Sequence, residues 1–280
     1  MNVVDLPFTV GPERLRVTTL ASGSGGNATL FEARDTRVLV DGGIAPRALE
    51  LALHETRAGG LPDAIIVTHA HQDHVGHTAR LAKRYGIPVY MTRATERAAA
   101  MPASVEVIRF HPRAPFVLGA LTVSPTAVPH DAAQVALVIS DGESRAAIVT
   151  DLGEITGQLE EHLRGCDVVL IESNHELDLL ERGPYPWFLK ARVRSARGHL
   201  SNAQACELLA RLGAEAHTIV LMHLSQTNNR EDLAIERARD ALGRRRLGTT
   251  RLLTAPPRSS LVIDATTRAC GRARQLALFA

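Results

Sequence analysis

Thr68-His69-Ala70-His71-Gln72-Asp73-His74 is the stretch that decides how this 280-residue chain is read. It follows Ala64-Ile65-Ile66-Val67, a short apolar run with β-branched residues, bounded upstream by Gly59, Gly60 and Pro62. Such a run reads as an interior strand. Past its end, four metal-capable side chains fall within six residues. His69 and His71 stand two apart, so in extended backbone they project to one side and can share a cation. Asp73 and His74 follow where the chain must turn, which can aim them at a second cation. Imidazole nitrogens with a carboxylate oxygen suit zinc, and also manganese or iron. The competing reading is a solvated histidine-rich loop or tag. A preceding core strand and an interrupting aspartate argue against it.

Working outward, the bulk properties narrow the class. The hydrophobic share of 45% is enough for a full core, in one large domain or two small ones. Residues 1–10 carry no secretory signal pattern, and no apolar run is long enough to cross a bilayer. A cytoplasmic protein that does not enter membranes is therefore expected. Cys166, Cys206 and Cys270 are odd in number and lack CxxC spacing, so thiols are expected rather than disulfides or ligands. A net charge of +2 requires any nucleic-acid surface to be local. Aromatics at 4% argue against stacking platforms for single strands.

Strands are expected at 14–20, 28–32 and 37–40, separated by the glycine turn Ser22-Gly23-Ser24-Gly25-Gly26-Asn27 and ending at Asp41-Gly42-Gly43. No helix follows the glycine turn, so a dinucleotide-binding loop is excluded. Helices are expected at 45–57, 75–85, 93–100, 155–163, 185–195, 201–212 and 231–243, with punctuation by Gly59, Gly86 and Pro88. Further strands are expected at 89–91, between 105 and 139, and at 146–150, 167–171, 218–222 and 260–263. Asp141-Gly142 marks a hairpin. Composition and order alone give a mixed α and β domain.

The His-x-His-x-Asp-His run resembles the signature of metallo-β-lactamase-fold hydrolases. That resemblance implies an α+β, four-layer αββα sandwich over residues 14–264, flanked by an extension at 1–13 and a tail at 265–280. The run supplies too few donors for two metals, so others must lie farther along. Three candidates each end an expected strand: His130 after Val128-Pro129, Asp151 after Thr150, and His223 after Met222. The resemblance assigns His69, His71 and His130 to one divalent ion, and Asp73, His74 and His223 to the other, with Asp151 bridging. The ions would be zinc or manganese. Asp41 is expected to brace the metal loop from behind. Two cations about 3.5–4 Å apart can share a hydroxide and clamp a phosphodiester oxygen, and Asp73 can orient the nucleophile or take its proton.

Further stretches narrow the branch. They are residues 22–29, Glu172-Ser173-Asn174-His175, Gly183-Pro184-Tyr185-Pro186-Trp187, Gly198-His199-Leu200-Ser201-Asn202, His223-Leu224-Ser225 and Asn228-Asn229. Together they resemble the WalJ (YycJ) group of DNA exonucleases, over about residue 15 to the helix after Asn229. The resemblance implies a dinuclear phosphodiesterase acting on DNA in repair, with RNA as a further substrate class. A small-molecule phosphodiesterase of the same fold is the alternative. A thioester or lactone hydrolase and a non-catalytic repair adaptor stand behind it. His199 is read as the acid that protonates the leaving oxygen, and Ser201 with the following helix start as a phosphate contact, against a plain capping turn. His175, Lys190 and Arg194 are candidate substrate contacts. With Arg192 and Arg197 the two cations form a basic run whose bland reading is a solvated helix face.

The chain ends Gln275-Leu276-Ala277-Leu278-Phe279-Ala280. Apolar residues at a terminus call for a cover, either the domain itself or a partner. The pattern of Gln275, Leu276, Leu278 and Phe279 resembles the peptide by which bacterial repair proteins hold the sliding clamp.

Overall fold

Two sheets that are apolar on both faces force this chain into layers. The computed structural model describes residues 11–58, 60–212, 216–247, 250–265 and 274–276. In chain order the elements begin with β1 (Arg16–Ala21), β2 (Ala28–Ala33), β3 (Thr36–Val40), α1 (Pro46–Thr56), β4 (Ala64–Ile66), α2 (Gln72–Val75), α3 (Thr78–Tyr85), β5 (Val89–Thr92), α4 (Arg93–Ala99) and β6 (Val107–Phe110). The second half comprises β7 (Phe116–Leu118), β8 (Leu121–Val128), β9 (Gln134–Ser140), β10 (Arg145–Val149), α5 (Gly157–Leu163), β11 (Val168–Glu172), α6 (Leu177–Arg182), α7 (Trp187–Val193), α8 (Asn202–Leu212), β12 (Thr218–Met222), α9 (Glu231–Leu247), β13 (Arg251–Thr254), β14 (Ser260–Asp264) and β15 (Arg274–Leu276).

One sheet has the order β15-β14-β1-β2-β3-β4-β5-β6, the other β13-β12-β11-β10-β9-β8-β7. Side chains alternate between faces along a strand, and the core follows that alternation. Val38 and Val40 of β3 face the other sheet, where Val168, Leu170, Val220 and Met222 meet them. Leu39 turns outward to Leu49 and Leu53 of α1 and Leu81 of α3. Val169, Ile171, Ile219 and Leu221 likewise turn outward to Leu159, Leu208 and Leu209 of α5 and α8. Three apolar layers between four structural ones make the αββα sandwich that the resemblance implied.

The expected helix over 75–85 is two pieces, because the chain bends at Gly76 and His77 between α2 and α3. Helix α6 and strand β13 were not expected from the sequence. Helix α9 departs from helical geometry at Gly243 (φ 66°), the residue where the expected helix ended. Residues 1–10 of the amino-terminal extension lie outside the described residues. In the tail, Arg274–Leu276 adds an edge strand to β14, pairing Gln275 with Leu261 and Leu276 with Ser260. The clamp-peptide residues Leu278 and Phe279 lie outside the described residues. No helix among the described residues is long and apolar enough to cross a membrane.

The topology also explains where chemistry collects. Strands β3 to β6 run parallel, as do β10 to β13. Strand β8 lies antiparallel to β9 and β9 to β10, so β8 and β10 share a direction. Carboxyl ends of co-directional strands therefore line one rim. Asp41, Val67-Thr68-His69, His130, Asp151, Glu172 and His223 follow or end these strands.

Candidate metal centre

The rim bends the backbone sharply at three polar residues. Asp41, Asp151 and His223 have positive φ (65°, 57° and 54°). For side chains other than glycine this conformation costs about 1–3 kcal/mol and collects at functional sites. Each turns a buried polar side chain off its strand end and back over the rim. Gly43 lets the histidine loop close in, since a Cβ there would lie 1.8 Å from the Asp73 carbonyl oxygen.

The expected donors are brought together in groups whose ligand atoms lie within 4.8 Å of one another. These are His69, His71 and His130; Asp73, His74 and His223; and His69, His74 and Asp151. Asp151 thus belongs to a group with one histidine of each triad. His74 Nε2 is 3.0 Å from Asp151 Oδ2, and His223 Nε2 is 3.4 Å from Asp73 Oδ2.

Four of the imidazoles have Nδ1 occupied by an acceptor behind them. His74 Nδ1 donates to Asp41 at 2.7 Å, His130 Nδ1 to the Gly198 carbonyl at 3.1 Å, and His223 Nδ1 to Glu172 at 2.9 Å. Thr68 Oγ1 donates to Asp41 at 3.0 Å, leaving its lone pair for His69 Nδ1 at 3.2 Å. This arrangement sets the tautomer and turns Nε2 toward the rim. His71 is reversed, with Nε2 3.0 Å from Asp131 and Nδ1 3.2 Å from His130 Nε2. His69 Nε2 is buried with no hydrogen-bond partner, which a structure tolerates poorly unless something else fills its lone pair. The orphaned nitrogen, the shared tautomers and the imidazole-carboxylate donors fit a dinuclear site for divalent cations.

Electrostatics divide the site. Burial, then the neighbouring His74, keeps His69 well below the usual histidine range, and burial also lowers His130. Burial acts against charge on His223 too, but Asp151, Asp73 and Glu172 outweigh it and push that group up to about 10. His74 is raised in the same way by Asp151 and Asp41. Burial works to raise the Asp73 carboxyl, yet hydrogen bonds from His223 and His74 hold it well below the carboxylate range.

Asp41 stands where a brace was expected, fully buried and accepting from Thr68 and His74. Glu172 is a second brace, and nothing in its local sequence marks it as one. It is fully buried; Oε1 accepts from Nδ1 of both His199 (2.8 Å) and His223 (2.9 Å), and Oε2 from the Leu152 and Leu200 amides. Asn27 is another, its amide reaching Asp73 at 3.2 Å and His74 Nε2 at 2.9 Å, while Ser22 Oγ accepts from the His223 amide at 2.8 Å. The glycine turn therefore supports the metal loop. Its only sequence signal was its place in the family-like stretch.

The expected substrate contacts fare differently. His199 lies at the site, with Nδ1 on Glu172 and the ring partly exposed. Ser201 is buried and caps α8, receiving the Gln204 amide at 3.3 Å and bonding the Gln204 side chain in return. The capping box takes its hydroxyl, so the phosphate contact expected of Ser201 is not supported. His175 is buried in a bridge to Ser201, and burial lowers its ring to about 4. It is a neutral interior group rather than an open contact. Lys190 donates to the Glu181 carbonyl and Arg194 pairs with the Glu181 carboxylate at 2.8 Å, so α6 rather than an open track engages both. Composition argued against aromatic platforms, yet α7 exposes Trp187 and Phe188 edge to face.

The fold and rim define a metallo-β-lactamase-fold, metal-dependent hydrolase, and the Beta-lactamase superfamily domain matches residues 36–224. Within that class the chain belongs to the family of the YycJ and WalJ exodeoxyribonucleases. It is 32% identical over 229 residues to the exodeoxyribonuclease YycJ of Bacillus anthracis, covering 79% of this chain and 86% of that one. The exodeoxyribonuclease WalJ of Streptococcus pneumoniae is likewise 32% identical, over 78% of this chain and 85% of its own. Among solved structures, the metallo-β-lactamase fold protein YhfI from Bacillus subtilis superposes with a TM-score of 0.68 at 19% identity, covering 89% of this chain and 99% of that one. A diphosphatase from the PhnP family gives 0.64 at 20%, covering 90% and 98%. These two likenesses show the fold alone.

Proposed function

We propose that this protein is a dinuclear phosphodiesterase that removes nucleotides from the ends of DNA in the cytoplasm, in the service of repair. One observation carries the reading: two donor triads meet around Asp151 in a chain that spans 86% of a relative described as an exodeoxyribonuclease. His69, His71 and His130 would hold one zinc or manganese ion, and Asp73, His74 and His223 the other, with Asp151 between them. When bound, such a pair lowers the pKa of water and offsets charge on a phosphoryl oxygen. The chain's own groups supply the rest. Asp73, partly exposed at the rim, orients the attacking water. His199, its Nδ1 held by Glu172, presents Nε2 as the proton donor to the leaving oxygen.

Purified protein incubated with end-labelled single- and double-stranded DNA and RNA, with manganese or zinc, tests the reading. Metal-dependent release of label from DNA ends is expected. Turnover of cyclic or small diesters with every polynucleotide left intact would move the protein to the small-molecule branch. Bound metal without any hydrolysis would favour the adaptor.

The tail adds a partner to the proposal. Gln275, Leu276, Leu278 and Phe279 would engage the sliding clamp and raise the local concentration of enzyme on DNA. Because Gln275 and Leu276 already pair with β14, the clamp must displace that edge strand. A labelled peptide of residues 272–280, titrated with the clamp beside its L278A/F279A variant, checks this. Equal binding by the two would assign the segment to the sheet alone.

A further inference from the structure

A groove opens at His130 and runs away from the centre along α4. It encloses about 780 Å³, within the about 300–1,000 Å³ usual for ligand sites. Pro129 and His130 form one end of its lining, and Arg93, Arg97, His111 and Arg197 line it farther out. A second hollow of about 550 Å³ shares Arg93 and Arg97, so the depression continues along the same helix.

Among the described residues, three guanidinium groups on the groove lining stand without a carboxylate partner of their own. Arg84, Arg192 and Arg194 each pair with a carboxylate, and so does Arg109 on the lining of the second hollow. Arg93, Arg97 and Arg197 form no ion pair among the described residues. Glu96, the carboxylate on α4, is held by Arg109 at 2.5 and 3.0 Å. Arg97 Nε donates to the Arg93 carbonyl at 3.3 Å, and Arg93 and Arg97 act on Glu96 only through space, behind Arg109. Of the two carboxylates on the lining, Asp131 is bound by Arg192, leaving Glu154 against three guanidinium groups.

We infer that this groove carries one strand of DNA away from the metal centre, with Arg93 and Arg97 on its backbone phosphates. The inference rests on the proposed function and names the path that function requires. The chemistry favours a single strand read through its backbone. The guanidinium groups come from two separate elements, α4 and the turn between α7 and α8, so phosphates within the groove meet charge from both. A flexible strand can follow a basic groove in this way, whereas a duplex presents its phosphates on a rigid convex surface. Phe110, the aromatic on the lining, is buried against Phe116 and offers no face for stacking. Binding here should therefore be blind to base sequence.

The test compares a single-stranded oligonucleotide with bis(4-nitrophenyl) phosphate, a diester too small to leave the metal centre, using metal-loaded full-length protein. For Arg93→Glu with Arg97→Glu, KM for the oligonucleotide should rise about tenfold or more. The slope of log KM against log salt should shrink by about 0.7 per lost phosphate contact. Turnover of the small diester should stay at the wild-type rate. Arg93→Lys with Arg97→Lys should restore the slope. If the Glu pair also loses the small diester, a Gln pair is read by the same criteria. Unchanged oligonucleotide KM and salt slope, with the small diester still cleaved, overturns the groove and leaves the proposed function standing. A wild-type enzyme that cleaves the small diester and no oligonucleotide overturns both.

Discussion

The two donor triads share a rim but sit in opposite electrostatic surroundings. His69 and His130 are kept neutral by burial, with Nδ1 on a hydroxyl and a carbonyl. His74 and His223 lie among Asp41, Asp73, Asp151 and Glu172, which draw them toward the charged form against the cost of burial. One half offers lone pairs, and the other calls for positive charge. Under the proposed assignment a cation in each answers both demands, but the ions are not equivalent. Three imidazoles favour zinc, whereas a carboxylate with two imidazoles also accepts manganese.

Asp151 links the two environments, so its replacement has the largest expected effect. Asp151→Asn should abolish hydrolysis and lower occupancy of both ions, read by metal analysis beside activity. Activity within a few-fold of wild type would mean the triads work independently. His199→Ala should keep both ions and cut turnover by about 10²–10⁴, the range for a lost general acid. Full activity in that variant would reduce His199 to a spacer over Glu172.

How much of this was visible beforehand depends on distance along the chain. The 68–74 run was legible because its donors are neighbours that follow an apolar strand. His130, Asp151 and His223 were legible as strand ends once the family resemblance asked for more donors. Glu172 was not, although it holds two histidines, because those partners lie 27 and 51 residues away. The parallel register that sets Ile171 beside Leu221 brings His223 to Glu172, whereas the His175–Ser201 bridge and the Leu200 amide hold the turn that carries His199 against the same strand end. Ser201 shows the converse. Its Ser-Asn-Ala-Gln setting already spelled a capping box, and local hydrogen bonding prevailed over the more ambitious role. In the basic run at 190–197 sequence shows charge and not its partner: Glu181 engages Lys190 and Arg194, Asp131 engages Arg192, and Arg197 is the member left on the groove lining.

Asp41→Asn sharpens the comparison within the charged half. It removes a buried acceptor behind His74, and lost braces of this kind cost about 10–100-fold in metal affinity. Competition titration with a chelator should show one weakened site and one unchanged. Equal weakening of both would mean that Asp41 acts on the whole loop through the Thr68 amide.

Asp131→Asn is the matching change in the neutral half and should have the smallest effect. Asp131 Oδ1 lies 3.0 Å from His71 Nε2, much as Asp41 lies behind His74. The difference is burial, since the Asp131 side chain is 31% exposed and that of Asp41 3%. Asp131 also binds Arg192 at 2.6 Å, so part of its charge is already neutralised. Exposed ion pairs contribute only about 0–1 kcal/mol, because water competes and salt screens them. An asparagine can still accept from His71 through its amide oxygen. The metal at His69, His71 and His130 should therefore weaken by no more than about fivefold, corresponding to that 0–1 kcal/mol. A loss as large as that of Asp41→Asn would show that the neutral half depends on a carboxylate after all, and that burial is not what separates the two sites.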